Sequence, residues 1–217
     1  MKEEDEKQEP TNIVKSGSKE RPLIQNIHYF IKWTIISAAI GVLVGLVGSV
    51  FGHGVSFATK LWQKHYWTVY LMPAAGVIIV WLYQVGHEEK NRGTDLVLES
   101  VSAHKEIPIV TAPLIFVSSI LSHMVSASAG REGAALQLGG ALGNLTGKLI
   151  RLDERDRKIA IMCGMSACFS ALFGTPLAAG VFSLEVVSIG VMYYAALVPC
   201  LFSSFIGAAI AGRLGLE

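Results

Sequence analysis

The residues of this chain best suited to chemistry are a charge pair held between glycines, Ala129-Gly130-Arg131-Glu132-Gly133-Ala134, with apolar sequence on both sides. Glycines allow unusual backbone angles and close approach. A helix starting after Gly133 has free backbone N–H groups in its first turn. Together with the helix dipole, they form an anion site that needs no cationic side chain. Irregular backbone at membrane depth is tolerated only where it lines a cavity or is buried in protein, and an ionisable residue there points to function. Glu132 suits a gate. Its carboxylate is itself an anion and competes for the N–H groups that would hold a permeating one. Protonation ends that competition and links anion movement to pH. The plainer alternative, a surface turn with a local Arg131–Glu132 pair, fits poorly with the apolar, small-residue flanks.

Other candidates point to packing. His53 and His123 lie in apolar segments and read as satisfied buried histidines, and Met192, Tyr193 and Tyr194 read as packing or interface residues. Glu185 closes an apolar run, where an unpaired carboxylate costs several kcal/mol. It is therefore a functional residue, one half of a salt bridge, or the end of a helix near water. Cys163, Cys168 and Cys200 sit in apolar segments and read as buried packing residues. No Cys/His spacing suggests a metal, so neither metal nor other cofactor is expected. The chain has no HExxH, no GxSxG and no paired membrane aspartates, which disfavours an intramembrane enzyme.

The elements around these residues read as membrane helices. Hydrophobic residues make up 52% of the 217 and charged residues 16%, against about 25% charged in soluble domains. The charges cluster in the tail, in His87–Arg92 and in Arg151–Lys158. Between the clusters lie stretches able to cross a hydrocarbon core of roughly 30 Å, which takes about 20 helical residues. Ile27–Trp62 is long for one span, hence tilted or broken, and carries Gly41/Gly45 and Gly48/Gly52 in GxxxG spacing, which lets helix backbones approach closely. Trp67–Gly86 follows with an early Pro73. Then come Ile107–Ala129, Ala134–Ile150, Ile159–Phe173, Pro176–Val187 and Ile189–Ala211. Several are short for a full span, as in the discontinuous helices of transporters. Residues 1–22 are too polar to pack. The expected organisation is a cytoplasmic tail to residue 25 and one transmembrane domain over 26–217. No apolar signal-peptide core precedes residue 27. The net charge of +1 gives no field for nucleic acid.

Orientation follows from the lysines and arginines of short loops. Lys2, Lys7, Lys15, Lys19 and Arg21 lie in the tail, Lys90, Arg92 and Lys105 follow the second segment, and only Lys64 lies between the first two. A cytoplasmic N-terminus is expected, with 87–105 and Arg151–Lys158 on the same side, in a multi-pass protein of the cell membrane.

Gly130-Arg131-Glu132-Gly133-Ala134-Ala135-Leu136-Gln137-Leu138-Gly139-Gly140 resembles the GREGP-V-Q-G signature of the CLC family of chloride channels and chloride/proton antiporters. The stretch Gly164–Glu185, a small-residue helix, a turn with Pro176-Leu177-Ala178 and an apolar run ending in glutamate, resembles the family's next block. The resemblance covers roughly residues 28–217. It implies an all-α polytopic membrane protein of tilted and partial helices, the first of two inverted repeats, in a homodimer with one pore per subunit. It also implies transport of chloride or a related small anion, with or without protons. Glu132 matches the gating glutamate, and Gly130, Arg131, Gly133 and Ala134 the anion-binding loop around it. The family's GSGIP motif, whose serine and following N–H groups hold the central anion, is matched by Gly93-Thr94-Asp95-Leu96-Val97. Thr94 then stands for the serine and Leu96 offers an N–H. A shift of three residues puts Asn91 there instead.

The departures are specific. Ala134 replaces a proline. Val186 stands at the inner proton-transfer glutamate, leaving Glu185 for a proton path or a structural role. The chain has about half the family's length, so it is expected to be incomplete. Fluoride-exporting members also lose the serine motif and the inner glutamate, so a fluoride/proton antiporter is the nearest rival. A non-transporting half that needs a partner chain is the other.

Overall fold

The computed structural model describes residues 23–88, 93–103, 107–187 and 193–216. The tail residues 1–22, Lys90, Asn91, Arg92, Lys105 and Met192 fall outside them. Among the described residues there are eight α-helices and no strand: α1 (Leu23–Lys64), α2 (Met72–Val85), α3 (Thr94–Ala103), α4 (Thr111–Met124), α5 (Arg131–Leu149), α6 (Glu154–Phe173), α7 (Pro176–Glu185) and α8 (Leu197–Arg213). Short 3-10 turns at Tyr66–Leu71 and Tyr194–Ala196 lead into α2 and α8.

Three stretches, Ile27–Lys64, Tyr66–Val85 and Tyr194–Arg213, are long and apolar enough to cross a membrane. The first segment is one unbroken helix. Its 42 residues span about 63 Å at 1.5 Å per residue, twice the hydrocarbon core, so α1 runs obliquely or extends past it. The other helices are shorter. α6 starts at Glu154, taking in the charged run, because Asp153 caps it by accepting a hydrogen bond from Asp156 N at 2.8 Å. It stops at Gly174, whose φ of +63° is left-handed, the usual glycine stop signal. α3 lies inside the stretch read as polar, because Leu96, Val97 and Val101 turn one face of it into the core.

α6 is the central helix, packed on by α1, α5, α7 and α8, and α4 joins α1 to α5. Small residues set this arrangement. Gly45 lies against Gly207, where a Cβ would come within 2.9 Å of the Gly207 Cα, and Gly48 faces Ala171 and Cys168. The GxxxG stripe of α1 thus seats that helix on α8 and α6. On α5, a methyl at Gly139 would run into the Gly164 carbonyl and one at Gly143 into that of Ala160. The outside is apolar. Phe57 is 66% and Val77 70% exposed, in company with Ile35, Val80 and Trp81. In water such a surface would aggregate, whereas a bilayer solvates it.

Candidate functional site

Two helix starts meet at the candidate site. α4 ends at Met124, and Ser126 takes a left-handed φ of 59°. The chain then runs extended through Gly130 (φ −76°, ψ 142°) into α5. The helix starts at Arg131, before the expected position after Gly133. Glycine in an extended conformation serves at the N-cap, and the acidic Glu132 in the first turn complements the dipole. Gly130 has no side chain to cap with, so the N-cap residue leaves the first-turn N–H groups of α5 uncapped.

Glu132 is exposed, and its carboxylate folds back over Gly130. A Cβ on Gly130 would stand 2.8 Å from Glu132 Oε2. Arg131 does not pair with it. The guanidinium lies 5.7 Å from the Phe173 ring centroid, a cation–π contact with the end of α6. The local Arg131–Glu132 pair is therefore not formed.

α3 arrives from the other side. Gly93 has a φ of +64°, and Thr94 Oγ1 lies 3.4 Å from the place where a Cβ on Gly133 would stand. Thr94 thus faces the first turn of α5. Leu96 is placed differently. Its side chain is 6% exposed in the core, and its N–H donates to Gly93 O at 3.2 Å. Asn91 is outside the described residues.

Between these starts lies a cavity of about 280 Å³ lined by Gly93, Gly130, Gly133, Ala134 and Gln137 together with Tyr83, Ile115, Ser118 and Ser119. It joins residues singled out from sequence to four polar ones that were not. Gln137 was within reach, since it stands one helical turn after Gly133 and therefore on the same face. Tyr83, Ser118 and Ser119 carry no such signal, because only the packing of α2 on α4 and of α4 on α5 brings them there. Glu185 lines no part of this cavity; it is the exposed last residue of α7. His123 Nδ1 bonds the Ser119 carbonyl at 2.7 Å and His53 Nε2 that of Leu214 at 3.0 Å. Both are thus partnered within the fold, and His53 is exposed, not buried. Among the described residues no cluster of three or more His, Cys, Asp or Glu could hold a metal.

Interrupted helices whose first turns meet at an open cavity, inside a bundle with an apolar exterior, define a polytopic membrane protein. The chain belongs to the voltage-gated chloride channel family, whose profile matches residues 75–216. It is 33% identical to a chloride/fluoride channel protein of Pseudomonas syringae pv. tomato, over 87% of this chain and 42% of that one. It is 25% identical to the H(+)/Cl(-) exchange transporter ClcA of Klebsiella pneumoniae, over 93% of this chain and 46% of that one. Among solved structures, a CLC-type fluoride/proton antiporter superposes with a TM-score of 0.82 at 34% identity, covering 91% of this chain and 49% of that one. The chain therefore spans about half the length of these relatives. They are channels and exchangers, so at the level of the family the chain is not an enzyme.

Proposed function

We propose that the protein carries a small halide, chloride or fluoride, across the cell membrane, with the Glu132 carboxylate as gate. The observation that carries this reading is the convergence of the α3 and α5 starts on one cavity, with Glu132 tethered in the first turn of α5. Backbone N–H groups of Arg131, Gly133 and Ala134 and the Thr94 hydroxyl are the anion donors, and Gly130 keeps the approach open. Leu96 contributes less, because its N–H is engaged by Gly93 O. Arg131 is held by Phe173, which leaves the Glu132 carboxylate to compete with the substrate for the same N–H groups. The protein is read as a homodimer, N-terminus inside, with residues 1–25 as a cytoplasmic tail.

Fluoride/proton exchange is the second reading, favoured by the solved relative at 34% identity, a fluoride/proton antiporter. Val186 at the inner glutamate position fits it too, leaving Glu185 as a proton-path or structural residue. The third reading is a half that needs a partner chain, supported by the length comparison.

Liposome efflux followed with chloride and fluoride electrodes, beside proton uptake, tests these readings. In full-length protein, Glu132→Gln is expected to keep anion flux while losing its pH dependence and any coupled proton movement. Glutamine has the size of the protonated carboxyl and no charge with which to compete. Wild-type pH dependence surviving in a folded Glu132→Gln protein overturns the gate. The relative fluxes of the two anions choose between them. The 217-residue chain alone is expected to give no flux, since it provides one wall of the site.

A further inference from the structure

Two cysteines far apart in sequence meet at the crossing of α6 and α8. Cys163 and Cys200 are both fully buried, both reduced, and their sulfurs are 4.0 Å apart, one thiol donating to the other. The backbone around them is fastened. Ser166 Oγ, from α6, lies 3.0 Å from both the Cys163 and the Cys200 carbonyls and shares its one hydroxyl proton between them. Ser203 Oγ, from α8, donates to the Cys163 carbonyl at 2.9 Å. Each helix thus sends a hydroxyl to the other at the level of the thiols, which holds the two cysteines face to face. The third cysteine is apart. Cys168 lies five residues along α6, on another face, beside Gly48 of α1 and Gly139 of α5.

We propose that Cys163 and Cys200 form an oxidisable dithiol, a modification site at which hydroperoxides dissolved in the bilayer close a disulfide between α6 and α8. A disulfide has sulfurs about 2.05 Å apart, so from 4.0 Å each sulfur travels about 1 Å. The serine clasp means that side-chain rotation, not helix movement, supplies most of that distance. The step balances as two reactions. One thiol sulfur attacks the terminal peroxide oxygen; the O–O bond breaks, the alkoxide takes a proton and leaves as alcohol, and a sulfenic acid remains. The second thiol attacks that sulfur; the S–OH bond breaks, and the hydroxide leaves as water with the second thiol's proton. Two thiols and one hydroperoxide give one disulfide, one alcohol and one water. The bond would fasten α8 to the helix on which α5, and with it Glu132, is seated.

The purified chain in lipid nanodiscs is treated with cumene hydroperoxide, quenched, denatured and alkylated, and its intact mass is measured. Two of the three alkylatable thiols should be lost and a reductant should restore them, with the Cys163–Cys200 peptide recovered after digestion. Cys168→Ser should still lose two thiols. Cys163→Ser and Cys200→Ser should each form no disulfide, losing at most the one thiol that stops at the sulfenic acid. If either serine variant fails to fold, peptide mapping of the wild type decides. Three free thiols after treatment of folded wild type, or a disulfide containing Cys168, overturns the proposal.

Discussion

Gly130 is not needed for backbone freedom; what its missing side chain leaves in place is the Glu132 carboxylate. Its φ of −76° is open to any residue, yet a Cβ would stand 2.8 Å from Glu132 Oε2. The obstructing atom is the free end of a flexible, exposed side chain, so an added methyl displaces the carboxylate and leaves the fold intact. Gly130→Ala should therefore alter the pH profile of anion flux while changing stability by less than about 1 kcal/mol. Efflux across pH, beside a thermal midpoint, checks both halves. An unchanged profile at unchanged stability would mean that the folded-back carboxylate has no part in gating. Arg131 belongs to the same logic. Its stacking on Phe173 removes the partner that would neutralise Glu132, a contact between positions 42 residues apart that sequence spacing does not reveal.

Among the elements, α5 and α6 are the pair on which the site depends. Their backbones cross in contact: a Cβ on Gly164 would meet the Gly139 carbonyl and, at 3.0 Å, the Gly143 Cα. Backbone cannot rotate aside as a side chain can, so the two helices would have to separate. Gly164→Ala is expected to cost about 1–3 kcal/mol or more, as overpacking does. Gly76, in α2, has nothing within 4 Å, and Gly76→Ala should be neutral or stabilising by up to about 1 kcal/mol through helix propensity. Thermal midpoints of the two variants in detergent test the contrast, and equal effects would contradict this packing. These elements were legible to different degrees. Long apolar runs gave α1, α2 and α8, because burial in lipid demands length and hydrophobicity whatever the tertiary contacts. The GxxxG stripe of α1 announced a close approach, though not that α8 and α6 would share it. The glycines of α5 and α6 were readable only as small residues. The Cys163–Cys200 meeting and the entry of Tyr83, Ser118 and Ser119 into the cavity were not readable at all, since each depends on a crossing between helices distant in sequence.

At the scale of the whole molecule, charge is distributed between two ends. Lys32, between two and three turns from the start of α1, pairs with Asp156 in the first turn of α6. A half-exposed pair adds little stability, but it fixes geometry: the start of α1 and the start of α6 lie at one level. Lys148, Arg151, Arg155, Arg157 and Lys158 belong to that same end, where α5 stops and α6 begins. At the far end of α1, the turn into α2 has only Lys64 with His65 beside it. Lysine and arginine are retained on the cytoplasmic side, so the Lys32–Asp156 end should face the cytoplasm and His65 the outside. Substituted cysteines read this directly, because the three native thiols are buried, whereas Arg155 and His65 are exposed. In intact cells, a membrane-impermeant maleimide should label His65→Cys. It should reach Arg155→Cys only after the membrane is permeabilised. The opposite pattern would invert the protein and place the tail outside. Labelling of both positions in intact cells would break the link that the ion pair makes between the two helix starts, because one side of α1 cannot carry both its first turns and its last.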